Sequence, residues 1–267
     1  MIKLLLRQLL ALFIGGISPL LAADSAATVT EAVNVVTHGS SQTAESAPAT
    51  AGTRLQDGEY LKTGVKSRAE LELANLSITR LGANTIFNYS AASNEIDLQS
   101  GTVLFSKPKD GSPMTIKTAS VTAAVVGTSG FAQLHGKAVL FGLIEGHATL
   151  TIGADPIYLT AGQIMRMGED GKPQVFYFNL PRFLATSPLI TKFHKPLTNQ
   201  AYIDKEVAKY KEFESRGFIE PPSEEIMLSD FDGTIPITPI QARDSAGKAL
   251  DMYNYNQMQQ PFSSNGP

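Results

Sequence analysis

The sequence predicts an all-β fold, with many short strands in a sandwich or solenoid-like roll, followed by an extended arm, one amphipathic helix and a disordered tail. Three observations carry that reading. Between Gly52 and about Met167 short apolar alternations are separated by turn residues, as in Ala69-Glu70-Leu71-Glu72-Leu73, Ile96-Asp97-Leu98, Val103-Leu104-Phe105, Thr122-Ala123-Ala124-Val125-Val126 and Val139-Leu140-Phe141. Period-2 or fully apolar runs of this length, rich in β-branched residues, are strands. No run of helical periodicity interrupts them before residue 199, which argues against the crossover helices of an α/β enzyme fold. Finally, Leu-x-x-Gly recurs at Leu55–Gly58, Leu98–Gly101, Leu143–Gly146 and Leu159–Gly162, with glycine spacings of 43, 45 and 16, too uneven for a fixed-period solenoid. It reads as one turn device, in which Leu plugs the core and Gly takes the positive φ that reverses the chain.

Along the chain, residues 1–23 carry Lys3 and Arg7, an apolar run from Leu9 to Leu21, and Ala22-Ala23-Asp24, the layout of an export signal. Gly15, Gly16 and Pro19 break the run, which falls short of the ~20 residues a membrane-spanning helix needs. Leu20 or Leu21 stands where a small residue is usual, so cleavage and retention as an anchor both stay open. Residues 24–51 read as one strand, Val29 to Val36, and a Ser/Thr/Ala/Pro linker from Ser40 to Ala51. Residues 52–180 form the β domain, closing with a turn at Gly168–Pro173 and a last strand at Val175–Phe178. Residues 181–220 hold an arm marked by Pro181, Pro188 and Pro196, then a helix capped by Asn199 and stopped by Gly217. Its stripe of Tyr202, Ile203, Val207, Tyr210 and Phe213 docks on the core or serves as a partner-binding surface. Residues 221–267, rich in Pro, Ser, Asn and Gln, are expected to be disordered.

Composition removes several classes of function. The 267 residues contain no Cys, which excludes disulfides, thiolate metal sites and a lipid-modified cysteine. The net charge of −3 becomes −5 once Lys3 and Arg7 leave with residues 1–23, which argues against a nucleic-acid partner. Asp230-Phe231-Asp232-Gly233-Thr234 resembles the first motif of haloacid-dehalogenase-like phosphatases, but only 35 residues follow Asp232, with Lys248 the single lysine among them. The same stretch lacks the third acid and closing Glu of a calcium loop. His38, His135, His147 and His194 stand singly, without metal-ligand spacing. Gly127-Thr128-Ser129-Gly130 lacks the nucleophile elbow and reads as a tight corner braced by Thr128. Glu70 and Glu72 alternate on one strand face, which reads as solvated. The expectation is therefore no enzyme, no cofactor and no metal.

One ordered set of short pieces points to a family. Gly52-Thr53-Arg54-Leu55-Gln56-Asp57-Gly58-Glu59-Tyr60-Leu61-Lys62-Thr63-Gly64, Ser67-Arg68-Ala69-Glu70-Leu71, Ile78-Thr79-Arg80-Leu81-Gly82-Ala83-Asn84, Leu98-Gln99-Ser100-Gly101, Ile116-Lys117-Thr118, Val125-Val126-Gly127-Thr128, Ile144-Glu145-Gly146 and Leu159-Thr160-Ala161-Gly162-Gln163 together resemble the FecR domain family over about residues 52–165. The positions this marks as structural are Gly58, Gly64, Arg68, Gly82, Gly101, Gly127, Thr128, Gly146, Gly162 and Gln163. Glu59 replaces the usual Asp, and Ala74-Asn75-Leu76-Ser77 stands where an Asp-Gly-Ser turn is common, which puts that turn's geometry in question.

The resemblance implies an extracytoplasmic all-β domain without catalytic residues. In its best-known members the domain follows a cytoplasmic anti-sigma segment and a membrane helix and reads an outer-membrane TonB-dependent receptor. This sequence shows neither of those parts, so anti-sigma activity is not carried over. The expected function is a periplasmic or secreted, non-enzymatic sensing module that binds an envelope protein, such as an outer-membrane receptor, with strand addition at a β-edge as one mode. The alternatives are a glycan or cell-wall binding module, poorly served by no Trp and eight Tyr, and a self-associating structural envelope protein suggested by the Gln/Asn-rich tail. Oligomeric state is left open.

Overall fold

The structure, a computed structural model, describes residues 25–41, 46–220, 237–243 and 248. The expected export signal, the Asp230–Thr234 motif and most of the expected tail lie outside the described residues.

The chain builds two sheets by stepping between them at sharp corners. β1 (Ala27–Val33) enters the first sheet, and β2 (Val36–Gly39) and β3 (Ala47–Pro48) the second. Asn34, at φ 63°, turns the chain between β1 and β2, so the expected single strand Val29–Val36 is two. β4 (Arg54–Leu55), β5 (Tyr60–Thr63), β6 (Arg68–Leu73), β7 (Ile78–Leu81) and β8 (Ile86–Ser90) follow. β9 (Glu95–Ser106) is long enough to serve both sheets, and then come β10 (Pro113–Lys117), β11 (Thr122–Val126), β12 (Ser129–His135) and β13 (Ala138–Glu145). β14 (His147–Ile152), β15 (Asp155–Thr160), β16 (Gln163–Met167) and β17 (Pro173–Phe178) complete the run.

The first sheet has the order β4-β1-β6-β7-β9-β12-β13-β16-β17, all antiparallel. The second runs β3-β2-β5-β8-β9-β10-β11-β14-β15, antiparallel except for β9–β10. β9 crosses from the second sheet to the first at Gly101. That glycine holds φ +83°, and a Cβ there would lie 2.5 Å from the Thr85 Cα, so only glycine fits the corner. All four Leu-x-x-Gly leucines are buried and all four glycines have positive φ. Because β1 pairs with β6 from Ala27↔Leu73 to Val33↔Arg68, and β2 with β5, the β unit begins at Ala27 and not at the expected residue 52.

Two apolar layers result. One lies between the sheets and joins Val29, Leu71, Val103, Phe105 and Phe141 to Leu61, Phe87, Ile96, Leu98, Ile116 and Leu150. The other covers the outer face of the first sheet, where Leu104, Phe131, Leu140, Ile164 and Phe178 meet Leu180, Phe183, Leu189, Ile203, Tyr210 and Phe213. β12 and most of β13 are therefore buried on both faces, which is why they read as continuous apolar runs.

The outer layer is closed by three helices. The expected extended arm is instead α1 (Leu180–Thr186) and α2 (Pro188–Thr191) followed by an irregular stretch to Asn199. Pro181 and Pro188 sit in the first turns, where proline's missing N–H costs nothing, and the Asn179 side chain accepts from the Arg182 N–H at 3.0 Å. α3 (Gln200–Ser215) ends as the sequence suggests: Gly217 takes φ +71°, its N–H meets the Glu214 carbonyl, the Phe218 N–H meets the Phe213 carbonyl, and the two rings sit 6.1 Å apart. Short strands β18 (Ile219–Glu220) and β19 (Pro239–Ala242) then pair with each other, and β19 with β17. Pro239–Ala242 thus corrects the expectation of disorder there, because Ile240 and Ala242 find a place in the outer apolar layer.

Candidate functional site

The outer face of the first sheet is where buried polar chemistry collects. One cross-strand row runs Glu31, Glu70, Arg80, Leu104, Phe131, Gly142, Ile164, Phe176, each opposite the next. Its far half is apolar: the Phe183 ring stacks on Phe131 at 4.9 Å, and Gly142 leaves room for the Phe131 ring, whose Cζ is 2.3 Å from where a Cβ would stand. Its near half is ionic, with Glu70 and Arg80 fully buried and Glu31 half-buried at the rim.

Arg80, 1 % exposed, donates through Nε to Glu70 Oε2 at 2.9 Å, through Nη1 to the Leu189 carbonyl at 2.9 Å, and through Nη2 to the Lys195 carbonyl. Thr30 donates to the other Glu70 oxygen at 2.7 Å, and the Phe193 ring covers the guanidinium at 4.8 Å. Burial lowers the Arg80 pKa, and the Glu70 carboxylate works against that. The reading of Glu70 as solvated is therefore corrected: its face is roofed by residues 187–197, and only Glu72 of the pair keeps substantial exposure.

A second polar node pins the start of α3. Asn199 was expected to cap the helix, yet its side chain makes no cap bond. Its Nδ2 donates instead to Glu145 Oε1 and the Lys107 carbonyl, both at 2.7 Å, and its N–H to Ser106 Oγ at 3.3 Å. Lys109 donates to Glu145 Oε2 at 2.8 Å and stands 4.5 Å over the Tyr202 ring. Buried Lys107 holds Asp110, whose carboxyl lies well below the usual range because of that bond and two more from Ser112.

The residues singled out from sequence do not converge. Gly58, Gly64, Gly82, Gly101, Gly127, Gly146 and Gly162 sit in turns or corners; a Cβ at Gly64 would crowd Val35, and the Gly82 N–H bonds the Thr102 carbonyl. Thr128 donates to the His147 carbonyl at 2.9 Å across its corner. Arg68 lies at the rim of the Arg80 cluster, 3.9 Å from Glu31 and 5.7 Å from the Phe193 ring. Gln163 accepts from the Thr160 N–H at 2.9 Å. On α3 the partner-binding reading is corrected for Ile203, Tyr210 and Phe213, which are buried in the outer layer, and half-buried Val207 packs against them; Tyr202 is 46 % exposed. Ser129 is buried against Ser106 at 2.8 Å. Among the described residues no three His, Asp or Glu side chains group to hold a metal, and no helix is long and apolar enough to cross a membrane.

Sequence reasoning missed Arg80, Phe193, Lys107 and Glu145 as a set. An arginine in the middle of the buried strand Ile78-Thr79-Arg80-Leu81 was the available signal, since such a residue needs a partner for its charge.

Residues 59–149 match the family model described as FecR protein. No curated protein matches the chain. Two crystal structures "of a putative anti-sigma factor from Parabacteroides distasonis ATCC 8503", at 1.65 and 2.50 Å, resemble it with 13% identity and TM-scores of 0.42 and 0.41; each alignment covers 44% of this chain and 59% of the other. The match to the FecR model, at residues 59–149, falls inside the larger two-sheet unit that begins at Ala27.

Proposed function

We propose that the chain is a non-enzymatic sensing module of the cell envelope, exported by its N-terminal segment to the periplasm or beyond, where it binds another envelope protein. The FecR match is the observation that carries this reading. Strand addition is poorly served at the edges of the second sheet. On β15, Pro156 has no N–H and the Thr160 N–H is taken by Gln163; on β3, Pro48 interrupts the edge. Recognition by side chains on a sheet face is the better-supported mode.

The test is capture from detergent-solubilised envelope with the tagged full chain, alongside fractionation of the cells that produce it. A stoichiometric membrane receptor, with the chain in the periplasmic or secreted fraction, is the expected result. Recovery of glycan or of the chain alone overturns the receptor reading and favours wall binding or self-association, and a cytoplasmic chain overturns the export.

A further inference from the structure

The segment that covers this buried charge is anchored in the outer apolar layer at Leu189 and Leu197 and is thinly attached between them. From Thr191 to Thr198 only Phe193 and Leu197 turn inward, while Thr191, Lys192, His194, Lys195, Pro196 and Thr198 are exposed. α2 has four residues, too few to satisfy its own carbonyls, and Arg80 takes the one at Leu189. The surface beneath carries three carboxylates and two arginines, Arg80 and Arg68, and its half-exposed carboxylates meet the strap's own side chains: His194 lies 2.9 Å from Glu31, which also has Arg68 at 3.9 Å, and Lys195 3.8 Å from Glu72. Arg80 therefore reads main-chain carbonyls with its planar fork and an aromatic ring with its face, while Glu31 and Glu72 read basic side chains. None of these contacts requires the bound segment to belong to the same chain.

A buried ion pair is a weak source of stability, because apolar residues of equal volume often do as well. We propose that Arg80, Glu70, Glu31 and Glu72 form a peptide-recognition site that residues 187–198 occupy in cis, and that the protein's partner displaces this strap with an extended basic segment bearing one aromatic residue. The proposal deepens the binding-module reading and rests on it. The cis strap has the advantage of a high effective concentration, so an intact chain admits a competitor poorly.

The experiment uses a fluorescein-labelled peptide of residues 187–198 and fluorescence anisotropy against the full chain. Phe193→Ala loosens the strap and is expected to bind the peptide about tenfold more tightly than the wild type, with affinity falling as salt rises. On that background, Arg80→Lys removes the fork and should lose about tenfold. Glu72→Lys, an exposed change that leaves the Arg80–Glu70 pair intact, should weaken binding several-fold even if the Arg80 variant unfolds. A peptide with Ala in place of its Phe should not bind. Equal affinity for wild type and Phe193→Ala, no binding to Phe193→Ala, or indifference to Glu72→Lys overturns the site. Because the probe is the chain's own strap, that failure leaves the envelope-partner reading to be judged by capture alone.

Discussion

The row across the first sheet has two halves, each with a buried centre, that are held by different physics. Around Leu104, Phe131 and Ile164, helices α1 and α3 bury rings and aliphatic chains, a contact that depends on shape and area. Around Glu70 and Arg80, an irregular strap covers an ion pair whose remaining donors end on main-chain carbonyls. An apolar cover tolerates any neighbour of the right volume, whereas the ionic cover demands particular partners. This difference makes the near half the better candidate for recognition.

Removing one member of the ionic half should break the comparison most violently. Glu70→Ala leaves Arg80 buried without its carboxylate and is expected to cost about 3–5 kcal/mol in urea unfolding. Glu70→Leu with Arg80→Met should cost much less than either single change, since no charge is left stranded. A double variant as unstable as the singles would mean that the arginine's bonds to the strap, more than the ion pair, hold this half.

In the apolar half the matching change is one of volume. Gly142→Ala places a methyl 2.3 Å from the Phe131 ring, which is locked between Phe178 and Phe183 and has little room to move. The expected loss is about 1–3 kcal/mol, with strap-peptide binding unchanged. A change in peptide binding would show that the two halves are coupled along the row.

The inner face of the sheets was legible because its signals are local. Alternation in Ala69–Leu73 and the buried Leu of each Leu-x-x-Gly turn need no distant partner to be interpreted. The outer face was not. Glu70 looks solvated until Arg80 is placed opposite it, and Arg80 bonds residues 109 and 115 positions away along the chain. Asn199 likewise looks like a helix cap until Glu145 draws its amide aside. Periodicity says which face is covered only when the cover is adjacent in sequence.

Two tyrosines separate the layers by titration. Burial pushes both phenols from 10 up to about 12: Tyr89, in the inner layer, is also raised by the Asp57 charge, and Tyr210, in the outer layer, by Glu214. Below pH 10 folded and unfolded chains both keep these protons, so stability does not change through them. Between about pH 10 and 12 the unfolded chain ionises first, and each tyrosine should cost on the order of 1–2 kcal/mol. Tyr210→Phe should remove the outer share of this alkaline loss and leave that of Tyr89. An unchanged alkaline profile would mean that the outer layer opens before its tyrosine titrates.

The smallest effect is expected off the row, at the β6–β7 turn. The usual glycine is missing, yet Leu76 adopts the left-handed geometry at φ 63° and is 65 % exposed. The turn is held by Asn75 Oδ1 accepting from the Ser77 N–H at 2.9 Å and by the Leu76 N–H donating to the Leu73 carbonyl at 2.8 Å. A leucine pays about 1–2 kcal/mol for that conformation, whereas glycine adopts it freely but costs about 0.5–1 kcal/mol of unfolded-state entropy. Leu76→Gly should therefore stabilise by only about 0.5 kcal/mol, and Leu76→Asn, which tolerates the left-handed region with less entropy to lose, by at least as much. Chemical unfolding of both variants checks this. Asn below Gly would show that side-chain freedom, and not backbone strain, sets the turn's cost.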